Sequence, residues 1–276
     1  MLKTALTELL PQFDAILVDQ FGVLIDANGP YPEAIETLKK ISLLEKSVYI
    51  LSNSGKRAAQ NKDRLTRLGF DPKSFDGVIT SGELAYCSLK KNSDVTLSDL
   101  LVYYISRDND TSVLEGLSYN VVEDPSLANL IVIAGSMSET VCLSEYKKIL
   151  SKAATRGIPA ICTNPDLRML SSTGINFGAG AIAKAYSDMG GSVTWFGKPY
   201  TGIYEFALSK LSNIPRSRIL CIGDSLEHDV RGAKNFGCPV ALVRTGLSNN
   251  LTIESIVKGS DSADVPDYLI DNFVVK

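Results

Sequence analysis

The sequence predicts an α/β protein built on a parallel sheet, with a second α/β segment inserted into it. Three observations carry this expectation. Short apolar runs alternate with helical patterns along the 276 residues, as in a sheet with crossover helices. Two of those runs end in acid: Ala15-Ile16-Leu17-Val18-Asp19 and Ile219-Leu220-Cys221-Ile222-Gly223-Asp224. Open α/β sheets bind ligands at the carboxyl ends of their strands. Two acids so distant in sequence meet there only if the intervening segment leaves the sheet and returns.

The elements follow in order. Asp14–Val18 reads as a strand, Pro32–Glu45 as a helix and Ser47–Leu51 as a strand. Arg57–Leu68 is helical and stops at Gly69; Val78–Thr80 is a short strand with a helix from about Gly82. A second series begins with strands Leu101–Ile105 and Asn129–Ala134, helix Glu139–Arg156, strand Ile158–Cys162 and helix Gly180–Met189. The opening pattern then returns in strand Val193–Phe196, helix Gly202–Leu211, strand Ile219–Ile222, helix Asp229–Phe236 and strand Val240–Val243. The expected division is a core of residues 1–79 and 193–276, with 80–192 as the insertion. Loop tips on the ligand-binding edge tolerate such insertions.

Composition narrows the function. A hydrophobic share of 45% and a charged share of 21% suit an ordinary globular chain. The net charge of −3, without a basic stripe, argues against a nucleic-acid partner. The segment Met1–Leu10 lacks the apolar core and cleavage site of a signal peptide, and no stretch reaches the ~20 apolar residues of a membrane span. Five scattered cysteines, several in apolar runs, are expected as buried free thiols in a reducing cytoplasm. A lone histidine, His228, excludes a multi-histidine metal site.

The carboxyl edge collects four stations. Asp19 closes the first strand; Asp224 and Asp229 follow the later one. An acid at a strand end can be a plain turn residue, and Asp229 can be a helix-start acid held by the helix dipole. Together, though, three carboxylates on one edge repel unless a cation lies among them. Oxygen ligands suit magnesium, which keeps waters and substrate phosphate as its other partners. Ser52-Asn53-Ser54-Gly55 ends the next strand at a helix start, where hydroxyl, amide and backbone N–H groups can cradle phosphate or simply cap the helix. Gly197-Lys198-Pro199 sets an ammonium at another strand end, or is a surface turn.

In this order and setting, the stations resemble the haloacid-dehalogenase-like superfamily, class IIA, of the sugar-phosphate and 4-nitrophenylphosphatase type. Thr163-Asn164-Pro165-Asp166 and Gly178-Ala179-Gly180-Ala181 are similar to that class's cap elements. The resemblance implies a Rossmann-like core with an α/β cap, and phosphoryl transfer to a small phosphorylated substrate through an aspartyl phosphate. Asp19 would be the nucleophile. Ser52, Asn53 and Lys198 would hold the phosphate. Mg²⁺ would sit among Asp19, the Phe21 carbonyl, Asp224 and Asp229. In the cap, Asn164, Asp166 and Arg168 would reach the substrate, Arg168 meeting a second anion. Pairing of two copies through apolar cap surface is compatible with the sequence.

One position departs from the pattern. The class has a second aspartate two residues after the first, as general acid and base; here it is Phe21. A phenyl ring carries no proton to give, and such catalysis contributes about 10²–10⁴-fold. Either the substrate has a good leaving group, or Gln20, Glu227 or His228 substitutes, or the protein binds a phosphometabolite without turning it over. Haloacid dehalogenation is a further alternative, because halide leaves unprotonated. Retention of the Gly-Asp…Asp pattern favours phosphoester hydrolysis over it.

Overall fold

The computed structural model describes residues 1–93, 100–171, 174–211, 213–258 and 264–276. These form two compact units. The first comprises Met1–Ser52, Ala58–Ile79 and Lys198–Lys276; the second comprises Asn53–Arg57 and Thr80–Gly197.

The first unit is organised by a seven-stranded parallel sheet. Its order is Leu2–Lys3, Tyr268–Ile270, Val240–Val243, Ile219–Gly223, Ala15–Val18, Ser47–Ser52 and Gly77–Thr80. Ala15–Val18 lies near the middle and is buried at all four positions, as a strand covered on both faces must be. Its register fixes the edge. Val18 pairs with Ile222 on one side and Ile50 on the other, so the chain passes Asp19, Gly223 and Leu51 at one level. Helix Ala34–Ser42 buries Ala34, Thr37, Leu38 and Ile41, the i, i+3, i+4, i+7 stripe of a helix on a sheet. That stripe packs with Ile16, Val18, Val48, Ile50, Leu220 and Ile222 into the unit's main apolar cluster.

The second unit has its own parallel sheet, ordered Val193–Trp195, Ala160–Cys162, Leu130–Ile133, Leu100–Ile105 and Tyr119–Val121. Helices Leu143–Thr155 and Ala179–Asp188 cover it through Leu150, Ala153, Ile182 and Tyr186. An antiparallel pair, Arg168–Ser171 with Gly174–Phe177, projects from the connection between them. The division falls at Lys198 rather than at residue 193, because Val193–Trp195 pairs with Ala160–Cys162 instead of joining the first sheet. Likewise Asn53–Arg57 groups with the second unit. The expected helix from Glu139 begins at Leu143, where Cys142 stands at the N-cap and Glu145 accepts the Cys142 N–H at 2.8 Å. Among the described residues, no helix is long and apolar enough to cross a membrane.

Candidate active site

Four side chains gather at the carboxyl edge of the first sheet. Asp19, Asp224, Asp229 and Lys198 are each less than a tenth exposed. A carboxylate oxygen from each of the three acids lies within 4.8 Å of the others. Lys198 Nζ donates to Asp19 Oδ1 at 2.6 Å and to Asp229 Oδ1 at 2.7 Å. One ammonium therefore faces three buried carboxylates.

Burial and mutual repulsion dominate the titration. Burial lifts Asp19 from 3.8 to about 7, Lys198 pulling it down and Asp229 pushing it up. Asp224 is driven well above the carboxylate range by burial, then by Asp19 and Asp229. Burial disfavours the charged form of Lys198, but the two acids more than offset this and raise it. The lysine is thus a fixed cation, and with no second cation beside it among the described residues the cluster drives Asp19 and Asp224 toward their protonated forms.

The surrounding backbone is shaped to this cluster. After Asp19 the chain turns sharply: Gly22 N–H donates to Ile25 O, and Leu24 and Ile25 N–H both donate to Gln20 O. Gly22 has φ +93°, and a Cβ there would run into the Asp224 carboxylate. Gly246, at φ +52°, crowds the same carboxylate, and a Cβ there would also run into Gly22 Cα. Leu247 N–H donates to Asp224 Oδ2 at 2.6 Å, and Ser248 Oγ donates to Asp224 O at 2.6 Å. Thr245 Oγ1 donates to Gly22 O, and Gly246 N–H donates to the Tyr31 hydroxyl at 3.2 Å. This Thr245–Ser248 loop lies outside the stations read from the sequence. Its signal was present: Val240–Val243 is another apolar strand followed by Thr-Gly.

The remaining residues take distinct places. Ser52 is buried at the end of the neighbouring strand, one step beyond the level of Asp19. Asp229 gives one oxygen to Lys198 and the other to Ser225 N–H at 3.1 Å, which makes it a brace for the lysine. Asp224 spends one oxygen on Leu247, and the Phe21 carbonyl accepts no backbone hydrogen bond among the described residues. Phe21 is partly buried, with the Arg64 guanidinium 5.0 Å from its ring centre. Gln20 is buried, its amide nitrogen without a partner among the described residues. Glu227 is exposed, and His228 holds Nδ1 3.2 Å from the Lys198 carbonyl. The histidine is tied to the backbone that carries the lysine rather than facing solvent alone.

Four expected site residues belong to the second unit. Asn53 Nδ2 donates to Asp166 Oδ1 at 2.7 Å, and its carbonyl accepts from Ser81 Oγ at 3.4 Å. The Asn53 amide is thereby engaged with Asp166. Asn164 Oδ1 accepts the Asp166 N–H at 3.1 Å, closing a local turn, and Arg168 is exposed on its strand.

The donor set suits a hard cation: carboxylates in excess of cations, dry surroundings and a backbone held close by two glycines. Sequence comparison agrees. The haloacid dehalogenase-like hydrolase profile matches residues 16–120, and a HAD-hydrolase-like profile matches 195–274. The chain belongs to the haloacid-dehalogenase-like hydrolases, class IIA. It is 25% identical over 260 residues to the sugar-phosphatase AraL of Bacillus subtilis, covering 93% of this chain and 89% of that one. It is 23% identical over 286 residues to the 4-nitrophenylphosphatase of Schizosaccharomyces pombe, covering 96% and 93%. A haloacid dehalogenase-like hydrolase from Brucella suis superposes with a TM-score of 0.84 at 26% identity, covering 99% of this chain and all of that one.

Proposed function

We propose that the protein is a magnesium-dependent phosphatase acting on a small phosphorylated metabolite, sugar-phosphate-like or aryl, through a covalent phosphate on Asp19. The single observation that carries this reading is the cluster of three buried carboxylates around one lysine. Asp19, Asp224 and the Phe21 carbonyl would hold Mg²⁺, with Asp229 in support through Lys198. There the ion would supply positive charge against the phosphate oxygens.

Asp19 attacks phosphorus and the bond to the leaving oxygen breaks; water then attacks phosphorus, the Asp19–phosphate bond breaks, and inorganic phosphate departs. Lys198 orients Asp19 and adds a fixed positive charge, while Ser52 contributes a hydroxyl to the phosphate. Asn164, Asp166 and Arg168 would select the rest of the substrate. Phe21 provides no proton for the leaving oxygen, which favours substrates whose leaving group needs none.

The same residue supports a second reading, a protein that binds a phosphometabolite and turns it over once or not at all. Hydrolysis of 4-nitrophenyl phosphate separates the two. Continuous nitrophenol release with Mg²⁺, abolished by chelator, is the expected result. A burst of one equivalent would favour the second reading. Chelator-insensitive chloride release from a 2-chloroacid, with no nitrophenol, would sink both.

A further inference from the structure

Two elements of the second unit, Thr163-Asn164-Pro165-Asp166 and Gly178-Ala179-Gly180-Ala181, meet at the start of helix Ala179–Asp188. A Cβ on Gly178 would run into Asp166 O, and one on Gly180 into Pro165 O. Gly180 N–H donates to Asp166 O at 3.1 Å, and Asp166 N–H donates to Asn164 Oδ1 at 3.1 Å. The two backbones close on each other and hold the root of the Asp166 side chain. That carboxylate accepts from Asn53 Nδ2 at 2.7 Å, while Asn53 Oδ1 accepts from Ser81 Oγ at 3.4 Å.

Asn53 and Ser81 are both buried, and their polar ends lie against one residue, Gly197. Its φ is +110°, and a Cβ there would run into Ser81 Oγ, Asn53 Oδ1 and Pro165 Cδ. Glycine is the loosest link a chain can contain, and the groups packed on this one remove that freedom. The next residue is Lys198, whose Nζ reaches Asp19 at 2.6 Å and Asp229 at 2.7 Å. A long lysine stem is flexible and delivers its ammonium accurately only from a fixed root.

We propose that Asn53 is a positioning residue: held by Asp166 and Ser81, its amide seats Gly197 and thereby fixes the point from which the Lys198 side chain starts. Asn53 acts through the backbone and touches no reacting atom. This role rests on the reading of Lys198 as part of the hydrolytic site and names what holds it there. The other task open to Asn53 is direct contact with phosphate, and the two predict different losses. A misplaced lysine slows the chemical step, whereas a lost phosphate ligand weakens binding.

The test compares the full chain with Asn53→Ala and with the exchange Asn53→Asp plus Asp166→Asn, which reverses donor and acceptor at constant charge. Acetic anhydride in trace amount labels neutral, accessible amines, and the labelled peptides are weighed, with exposed Lys147 as internal standard. In the unsubstituted chain Lys198 is buried and, against that burial, kept protonated by Asp19 and Asp229, so it should label far more slowly than Lys147. Asn53→Ala should raise Lys198 labelling about tenfold, the equivalent of one hydrogen bond to a charged group. The exchange should restore protection. On 4-nitrophenyl phosphate, Asn53→Ala should lower kcat by about 10²-fold, as for a group displaced by an ångström, with KM and inhibition by inorganic phosphate unchanged. Should Asn53→Ala fail to fold, Ser81→Ala carries the same labelling readout.

A residue that merely holds the fold would lower Tm and leave Lys198 labelling and kcat where they were, which would overturn the inference. A raised KM with weaker phosphate inhibition at unchanged kcat would overturn it too, because Asn53 would then be a phosphate ligand. An unsubstituted chain without turnover would count against the hydrolytic reading alone, and Lys198 labelling would still decide the role of Asn53.

Discussion

The sheet edge of the first unit and the half-buried ion pairs of the second handle charge in different ways. In the second, acids are matched: Arg57 binds Glu83 through two nitrogens, Arg107 binds Glu139 likewise, and Asp166 accepts from Asn53. In the first, Arg231 matches Asp264 in the same way, but at the sheet edge three carboxylates crowd one lysine. Matched pairs satisfy themselves and are structural. Three acids gathered on one lysine are driven to hold protons unless a further cation lies among them, so the imbalance marks where a cation and a charged substrate belong.

The contrast can be broken most directly at Asp19. Asp19→Asn should lower 4-nitrophenyl phosphate turnover by about 10⁴-fold or more, as expected for loss of a nucleophile. Retention of activity within tenfold would make the cluster structural after all. Phe21→Asp probes the missing proton donor. It should raise turnover of an alkyl phosphate by about 10²–10⁴-fold, and of the nitrophenyl ester far less, because nitrophenolate leaves readily. Equal gains on both esters would rule out that role.

Thermal unfolding sharpens the comparison on a smaller scale. Mg²⁺ at a hundred times its dissociation constant should stabilise the protein by about 2.7 kcal/mol, and Asp224→Asn should lose most of that gain. An unchanged shift in the variant would move the ion elsewhere.

The pH dependence of this gain has a fixed sign. Without a cation, burial holds Asp19 at about 7 against an ordinary 3.8. The folded state then keeps a proton that the unfolded chain releases, so stability falls as pH rises from about 4 to 7. Mg²⁺ favours the ionised carboxylate and cancels that fall. The difference in Tm between magnesium and chelator should therefore widen across this window; a constant difference would contradict the assignment. Smallest of all, Asp166→Ala should cost about 1 kcal/mol, the net worth of a hydrogen bond, and leave the magnesium shift intact.

Much of the first unit was legible in the sequence, because buried parallel strands announce themselves as apolar runs. Ala15–Val18, Ser47–Leu51, Ile219–Ile222 and Val240–Val243 all recur within a residue or so of their expected bounds. Elements with little apolar content were not legible. Leu2–Lys3, Tyr119–Val121 and the pair Arg168–Ser171 with Gly174–Phe177 are short edge or surface strands, and their partners rather than their residues make them strands. Val193–Trp195 was seen as a strand but joined to the first sheet, since an apolar run does not say which sheet it completes.

The acids themselves illustrate the division. By itself the sequence determined that Asp19, Asp224 and Lys198 stand at strand ends, since strand periodicity and the residues that end a strand are local properties. Only the tertiary structure decided that these ends converge, that Asp229 braces Lys198, and that Thr245–Ser248 wraps Asp224. Those facts depend on strand order and register across some two hundred residues, and no local rule of backbone or side chain encodes that separation.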